Sequence, residues 1–509
     1  MTPTPPSDAG NINTRMAKGA VWMVLARTID RSIGLASIAI LARLLVPADF
    51  GLVAMATALV AVLELFVSFG FDTALIQNPS AERRHYDTAW TFNIIFGALI
   101  AMVLLAISEP AAHFFTEPRL QPVIMCLAAA TFISGFENIG TVNFRRDLRF
   151  SREFNLILAK KVTAFIVTIP LAFALQSYWA LVVGILVGRL ASVVLTYWVH
   201  QYRPRLSLAA RAELFHFGKW MVLLSVLTFL GTRSADFLVG KISGPRELGI
   251  FNVSYEISSL PTSDLIAPIN RAIYPGYAKK AGDRASLRAS FLQVIGLIAV
   301  LVLPAGTGIA AVADMLVPVM LGPNWIGSIP AITVLSFFGI LTALKSNNHF
   351  VYLALGKPHI ATLLGTVHIA ILLPIIFFGS SRGGAFGVAV GFLVAQALFT
   401  PFSLAVLRRT LGLRVREQLV VLYRPFIAAA AMYAGVRLVA NSFRATPYEE
   451  IALIFPLLVC VLTGIILYSA VLYLLWVCAS KPDGAEPRIL EFISSIVRSR
   501  FRKRPTSDS

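Results

Sequence analysis

Apolar residues recur in runs of about 20 along almost the whole chain, each long enough to cross a hydrocarbon core of about 30 Å as a helix. The runs lie near 20–43, 52–76, 88–107, 119–142, 156–175, 178–199, 214–239, 249–273, 288–312, 330–354, 360–378, 384–406, 420–439 and 451–478. This pattern predicts an all-α integral membrane protein with about 14 transmembrane helices. The pairs 156–199 and 360–406 turn so tightly that 12 or 13 spans fit them as well. Pro261 and Pro268, Pro304 with Gly306 and Gly308, and Pro374 interrupt later runs, where each can kink a helix.

The pattern is written twice. Trp22-Met23-Val24-Leu25 returns as Trp220-Met221-Val222-Leu223, an offset of 198, and at the same offset Arg43 meets Lys241, Pro47 meets Pro245, Asp49 meets Glu247 and Gly51 meets Gly249. A repeat of this size in an apolar chain is how many secondary transporters are built. The expected organisation is a tail over 1–19, an N-lobe of six helices over 20–200, a pseudo-symmetric C-lobe of six over 201–407, two more helices over 408–478 and a basic tail over 479–509. The two lobes repeat in parallel.

Loop charge orients the spans, because Lys and Arg accumulate on the cytoplasmic side. One set of loops carries Arg83 and Arg84; Arg145, Arg146, Arg149 and Arg152; Arg203, Arg205 and Arg211; Lys279, Lys280 and Arg284; and Arg408, Arg409, Arg414 and Arg416. The alternate set is nearly bare, so both termini are expected in the cytoplasm. Within the basic tail, Ile489, Phe492, Ile493, Ile496 and Val497 share one helical face, as in a helix lying on an anionic leaflet. The outer stretch 313–329, with Trp325, reads as an interfacial loop with an aromatic anchor.

Composition changes the picture little. Of the residues, 57% are hydrophobic and 14% charged, well below the quarter usual for soluble domains. The net charge of +18 sits mainly in short loops and points to orientation rather than to nucleic acid. Cys126, Cys460 and Cys478 all fall inside apolar runs, without metal spacing. No phosphate-cradling Gly-rich loop, paired metal carboxylates or extramembrane catalytic domain is legible, so the expectation is a transporter that is not an enzyme and needs no cofactor or metal.

Charges inside the spans are costly unless they meet a partner or a wet cavity, and are the main functional signal. Arg27 and Arg31 share a face of the first span, with Asp30 close enough to pair with either. Two guanidiniums against one carboxylate suit a phosphate-bearing ligand; a self-neutralising packing triad is the other reading. Arg189, Lys345 and Asn347 are further candidates for binding pyrophosphate or sugar. Asp30, Glu64, Glu256, Asp236 and Arg233 are candidates for ion coupling or charge pairing, with Glu64 expected to pair with Arg27 or Arg31 across a helix interface. Glu137, Asn138, Asp264, Asn348 and Gln396 are further polar residues inside the spans, Asp264 taken with Glu256 and Asn348 with Lys345.

Four ordered segments carry a family resemblance: Ala42 to Leu52, Gly70 to Gln77, Phe144 to Phe150, and Pro268 to Pro275. They resemble Wzx-type polysaccharide flippases of the multidrug/oligosaccharidyl-lipid/polysaccharide superfamily, in the flavour of the colanic-acid or teichuronic-acid export branch. The resemblance spans most of 15–410. It implies two six-helix lobes around a cationic cavity, and movement of undecaprenyl-pyrophosphate-linked oligosaccharide to the periplasmic leaflet by alternating access, driven by an ion gradient or the membrane potential. It also implies a polysaccharide polymerase or co-polymerase complex as partner. Lipid II flippases of the superfamily hold pyrophosphate with first-helix arginines, which Arg27 and Arg31 match in type and placement. A cation-coupled drug antiporter of the same superfold is the alternative, and it would favour acidic residues such as Glu64 and Glu256. A membrane polymerase or ligase is a third reading, disfavoured by the lack of a sizeable outer loop.

Overall fold

A computed structural model describes residues 6–67, 70–78, 80–211, 213, 229, 233–260, 265–443 and 450–480. The second Trp-Met-Val-Leu segment, Pro261, Asp264, most of the seventh expected span and the amphipathic tail lie outside these residues.

The described chain is helical: α1 (Pro6–Leu44), α2 (Pro47–Val67), α3 (Phe71–Gln77), α4 (Arg83–Phe115), α5 (Leu120–Ser134), α6 (Asn143–Arg146), α7 (Phe150–Leu175), α8 (Trp179–Val199), α9 (Ser234–Ser259), α10 (Leu265–Lys279), α11 (Arg284–Leu321), α12 (Ile329–Ala354), α13 (Pro358–Leu411), α14 (Val415–Ser442) and α15 (Glu450–Cys478). Among the described residues, nine stretches are long and apolar enough to span a membrane, ten if α5 and α6, bent by 68° to one another, form one broken span. This is a multi-pass membrane protein. The residues up to Asn252 form one compact unit and those from Val253 a second.

One long helix breaks at a glycine pair, and two continue through prolines that the sequence singles out. Both α11 and α13 run on through Pro304 and Pro374. The chain instead turns inside α13 at Gly383 and Gly384, the latter at φ 52°, ψ −135°, where a Cβ would be strained. The limbs on either side then run so close that a Cβ on Gly379 or Gly387 would strike the other's carbonyl.

The repeated turns meet each other. Pro47 opens α2, where its missing N–H costs nothing, and the buried Asp49 carboxylate accepts from the Val46 amide at 3.3 Å. In the second copy Gly244, at φ 82°, breaks α9 and Pro245 restarts it. A Cβ on Gly51 would strike the carbonyl of Pro245, and one on Gly249 the carbonyl of Pro47. The duplicated motif therefore packs against its own copy, glycine to proline in both directions, which only residues without a side chain allow.

In the first unit α1 lies along α7, with Trp22 and Phe154 rings 5.0 Å apart; α7 packs on α8, α8 on α5, and α5 on α4. In the second unit α11 packs on α12, α14 and α15 around an aliphatic core that includes Ile298, Val302, Ala428 and Met432. Trp325, expected as an interfacial anchor, is fully buried: α11 extends to Leu321 and a short 3-10 turn folds the indole inward.

Candidate functional site

The intramembrane charges of the first unit gather around an open cavity of about 830 Å³. Helix α7 begins at Phe150, six residues before the apolar run suggests, so Lys160 and Lys161 lie ten residues or more into it. At about 1.5 Å per residue that is roughly 15 Å from the helix start, too deep to count as loop charges. Lys160 Nζ sits 2.8 Å from Glu137 Oε2, and Ser192 Oγ donates to Glu137 Oε1 at 2.6 Å. Lys161 Nζ sits 3.3 Å from Asp30 Oδ1. Arg189 Nη2 lies 3.9 Å from Glu64 Oε1. Six of these residues, Asp30, Glu137, Lys160, Lys161, Arg189 and Ser192, line the cavity.

Glu137 reaches this depth because its helix breaks there. Between α5 and α6 the freed backbone is satisfied by neighbours: the Asn138 amide donates to Thr196 Oγ1 at 3.1 Å, its Nδ2 to the Tyr202 carbonyl at 2.7 Å, and its Oδ1 accepts from the Gly140 amide at 2.9 Å. Broken backbone at membrane depth needs such partners. Asn138 thus holds the break, and Glu137 is what the break presents.

The first-span triad is rearranged from the sequence reading. Asp30 meets Lys161, a partner the sequence does not suggest, and Gly34, one turn on, faces the same ammonium. Arg27 and Arg31 are half-buried on α1. Glu64 finds its partner across a helix interface, as expected, but that partner is Arg189 rather than Arg27 or Arg31. Among the residues that line the cavity are three cations (Lys160, Lys161, Arg189) and two carboxylates (Asp30, Glu137), with Glu64 held by Arg189 beside them.

Elsewhere the candidates scatter. Arg233 Nη1 pairs with Asp236 Oδ2 at 3.2 Å on α9, Asp236 being buried, as the three-residue spacing suggests. Glu256 is half-buried further along the same helix. Lys345 of α12 donates to Gln396 Oε1 at 3.1 Å and lies 4.3 Å above the Phe399 ring, in a second pocket of about 170 Å³. Asn347, expected beside it, is in the packed core and donates to Tyr277 Oη at 2.8 Å. Two residues along a helix is about 200° around it, so Asn347 points away from Lys345 while Asn348, His349 and Tyr352 share the lysine's face.

Sequence reasoning missed Lys160, Lys161 and His368. The available signal was the adjacent Lys-Lys pair, which falls inside the apolar run 156–175. Outside the membrane, Glu117 accepts from Arg119 Nε at 2.7 Å, which holds its carboxyl below the ordinary glutamate range. Burial pushes the Tyr202 hydroxyl well above its ordinary range, and Asp87, which accepts from it at 2.7 Å, adds to the shift.

Known proteins place this architecture. The chain is similar to the lipopolysaccharide biosynthesis protein WzxC of Escherichia coli K12, 25% identical with 82% of this chain and 86% of that one covered. It is 23% identical to the teichuronic acid biosynthesis protein TuaB of Bacillus subtilis 168, with 83% and 88% covered. Among solved structures, the lipid II flippase MurJ in an inward closed conformation superposes with a TM-score of 0.70 at 12% identity, covering 89% of this chain and 98% of that one. An inward-facing multidrug resistance transporter of the MATE family gives 0.59 at 15% identity, covering 75% and 95%. A family model described as polysaccharide biosynthesis protein matches residues 40–330, more than half of the sequence. The chain belongs to the polysaccharide biosynthesis protein family.

Proposed function

We propose that this chain is a flippase that moves undecaprenyl-pyrophosphate-linked oligosaccharide from the cytoplasmic to the periplasmic leaflet for polysaccharide synthesis. The observation that carries the proposal is the first unit's open cavity, lined by three cations, each within reach of a carboxylate. A pyrophosphate cannot enter hydrocarbon unaccompanied, because a bare charge there is heavily penalised. Ammonium and guanidinium groups along a wet path replace its hydration, while the lipid tail stays in the bilayer. Arg27 and Arg31 are the proposed pyrophosphate ligands, with Lys160, Lys161 and Arg189 as cations released in turn from their carboxylates.

The carboxylates have a part in this scheme. Asp30, Glu64 and Glu137 neutralise the cavity cations while it is empty and give them up to the substrate, so the charges are never stranded. An ion gradient or the membrane potential drives the return. The protein acts as a transporter and not as an enzyme, in line with its family. It crosses the bacterial inner membrane fourteen times with both termini inside, is built of two six-helix lobes with two further helices, and works beside a polysaccharide polymerase complex.

Drug antiport on the same superfold is the second reading, favoured by the likeness to the multidrug transporter fold. A cationic drug suits a net acidic cavity, and this one carries surplus positive charge. The deciding experiment reconstitutes the purified protein in vesicles with a fluorescent lipid-linked oligosaccharide and follows its transfer between leaflets. Transfer that collapses in the Arg27→Ala, Arg31→Ala double variant supports the flippase; extrusion of a cationic dye with no lipid transfer would overturn it.

A further inference from the structure

We infer that the pocket around Lys345 in the second unit binds a carboxylate carried on a sugar ring, which rests on the reading that the chain handles oligosaccharide. The pocket is built by one face of α12 and both limbs of α13, with Lys345, Asn348, Tyr352, His368, Phe399 and Ser403 in its wall. At about 170 Å³ it is many times the roughly 10–15 Å³ that a single water needs.

The charge is uncompensated. The ammonium of Lys345 has a neutral amide oxygen, Gln396 Oε1, and the face of Phe399, and no aspartate or glutamate lines the pocket. A lysine so placed is costly in a protein unless an anion joins it. Every lysine of the first unit's cavity has a carboxylate within 3.3 Å, so the lack here is specific.

Around the ammonium are polar atoms with nothing to bond. Asn348 is 3% exposed with both Oδ1 and Nδ2 unpartnered, and Tyr352 is 1% exposed with its Oη unpartnered. Buried polar groups are almost always satisfied, so a cluster of donors and acceptors facing one cavity points to a polyhydroxylated ligand. Phe399 and Leu364 supply an apolar wall for the flat side of a ring.

One fixed positive charge sets the ligand's charge. A single ammonium matches a carboxylate; a phosphate dianion would keep a negative charge unpaired, and the arginine fork that favours phosphate is missing from this pocket. The expected ligand is therefore an acidic sugar residue.

The test measures thermal unfolding of the purified full-length protein in detergent with glucuronate, glucose or inorganic phosphate. Glucuronate should raise the unfolding midpoint in a saturable way, and glucose and phosphate should not. Lys345→Gln should erase the shift. Since that change can also disturb packing, Asn348→Asp is the second variant: it sets a carboxylate one turn along the same face, and should raise the ligand-free midpoint and abolish the response to glucuronate. An equal shift with glucose, a shift with phosphate alone, no shift with glucuronate, or a glucuronate shift that survives Lys345→Gln would each overturn the inference. None of these readouts involves transport. A strain lacking the chain that still exports its polymer would sink the flippase reading and leave the binding result standing.

Discussion

The two units handle intramembrane lysine in opposite ways. In the first, Lys160 and Lys161 are held against Glu137 and Asp30 at 2.8 and 3.3 Å, so an empty cavity is already close to neutral. In the second, Lys345 is held by an amide and an aromatic face and has no carboxylate on its pocket. The proline-glycine turn is repeated in the sequence and its two copies pack on each other, yet the intramembrane charges are not repeated. A paired lysine can exchange its partner for a passing anion and recover it afterwards. An uncompensated one waits for an anion of its own. On the proposed reading, transit falls to the first cavity and recognition to the second.

The strongest test of that division removes charge from the first cavity. Arg27→Ala and Arg31→Ala should each cut polymer export about tenfold or more, because a hydrogen bond to a charged group contributes roughly 1.5–3 kcal/mol and each 1.4 kcal/mol is tenfold. Export measured alongside membrane abundance separates lost binding from lost protein. Wild-type export from both variants would end the phosphate-site reading.

Next in size is the shared scaffold. Gly249→Ala drives a methyl into the carbonyl of Pro47, and Gly51→Ala does the same at Pro245. Overpacking of this kind costs about 1–3 kcal/mol, so each should lower the unfolding midpoint, and by similar amounts if the packing is as reciprocal as it looks. Gly276→Ala, at a position with open space around it, is the control and should leave the midpoint unchanged.

The lysines themselves give opposite signs. Lys161→Met strands Asp30 and should lower the midpoint, while Lys345→Met removes an ammonium that has only neutral company and should raise it. The first effect should be about 1 kcal/mol, because Lys161 and Asp30 are partly exposed, at 36% and 44%, and solvent screens such pairs. Shifts of the same sign in the two variants would erase the contrast on which the division rests.

How much of this the sequence carries depends on which physical rule was in play. The spans, the two-fold repeat and the charged triad of α1 follow from hydropathy and spacing, which are local. Partners are not local: Asp30 meets Lys161 from 131 positions away, and Glu64 meets Arg189 from 125. Helix ends also misled. Starting the fifth span at 156 rather than 150 placed the Lys160-Lys161 pair only about one turn inside its edge, and the pair was passed over. Asn347 was a failure of a rule the sequence does supply, since helical spacing alone places Asn348 and Tyr352, and not Asn347, on the face of Lys345. The prolines are a weaker guide to helix ends, since α11 and α13 carry Pro304 and Pro374 without ending, while the glycine pair Gly383-Gly384 turns the chain inside α13.

The smallest effect expected lies outside both cavities, in the turn between α4 and α5, and it checks that stability there is separable from transport. Glu117 accepts from Arg119 through both guanidinium contacts, at 2.7 and 3.0 Å, and this pairing lowers its pKa in the folded protein. A carboxyl whose folded value is depressed binds fewer protons than in the unfolded chain, so its stabilisation is fully present above the ordinary glutamate range. It is lost as pH falls through the lowered value. Arg119 is 45% exposed, which limits the contribution to a few tenths of a kcal/mol, about what a surface pair supplies. Glu117→Gln should therefore flatten the acid side of the midpoint-against-pH curve slightly and leave lipid transfer at pH 7 at the wild-type rate. Slowed transfer in that variant would mean that this turn moves during transport, and the division of labour between the two cavities would have to include it.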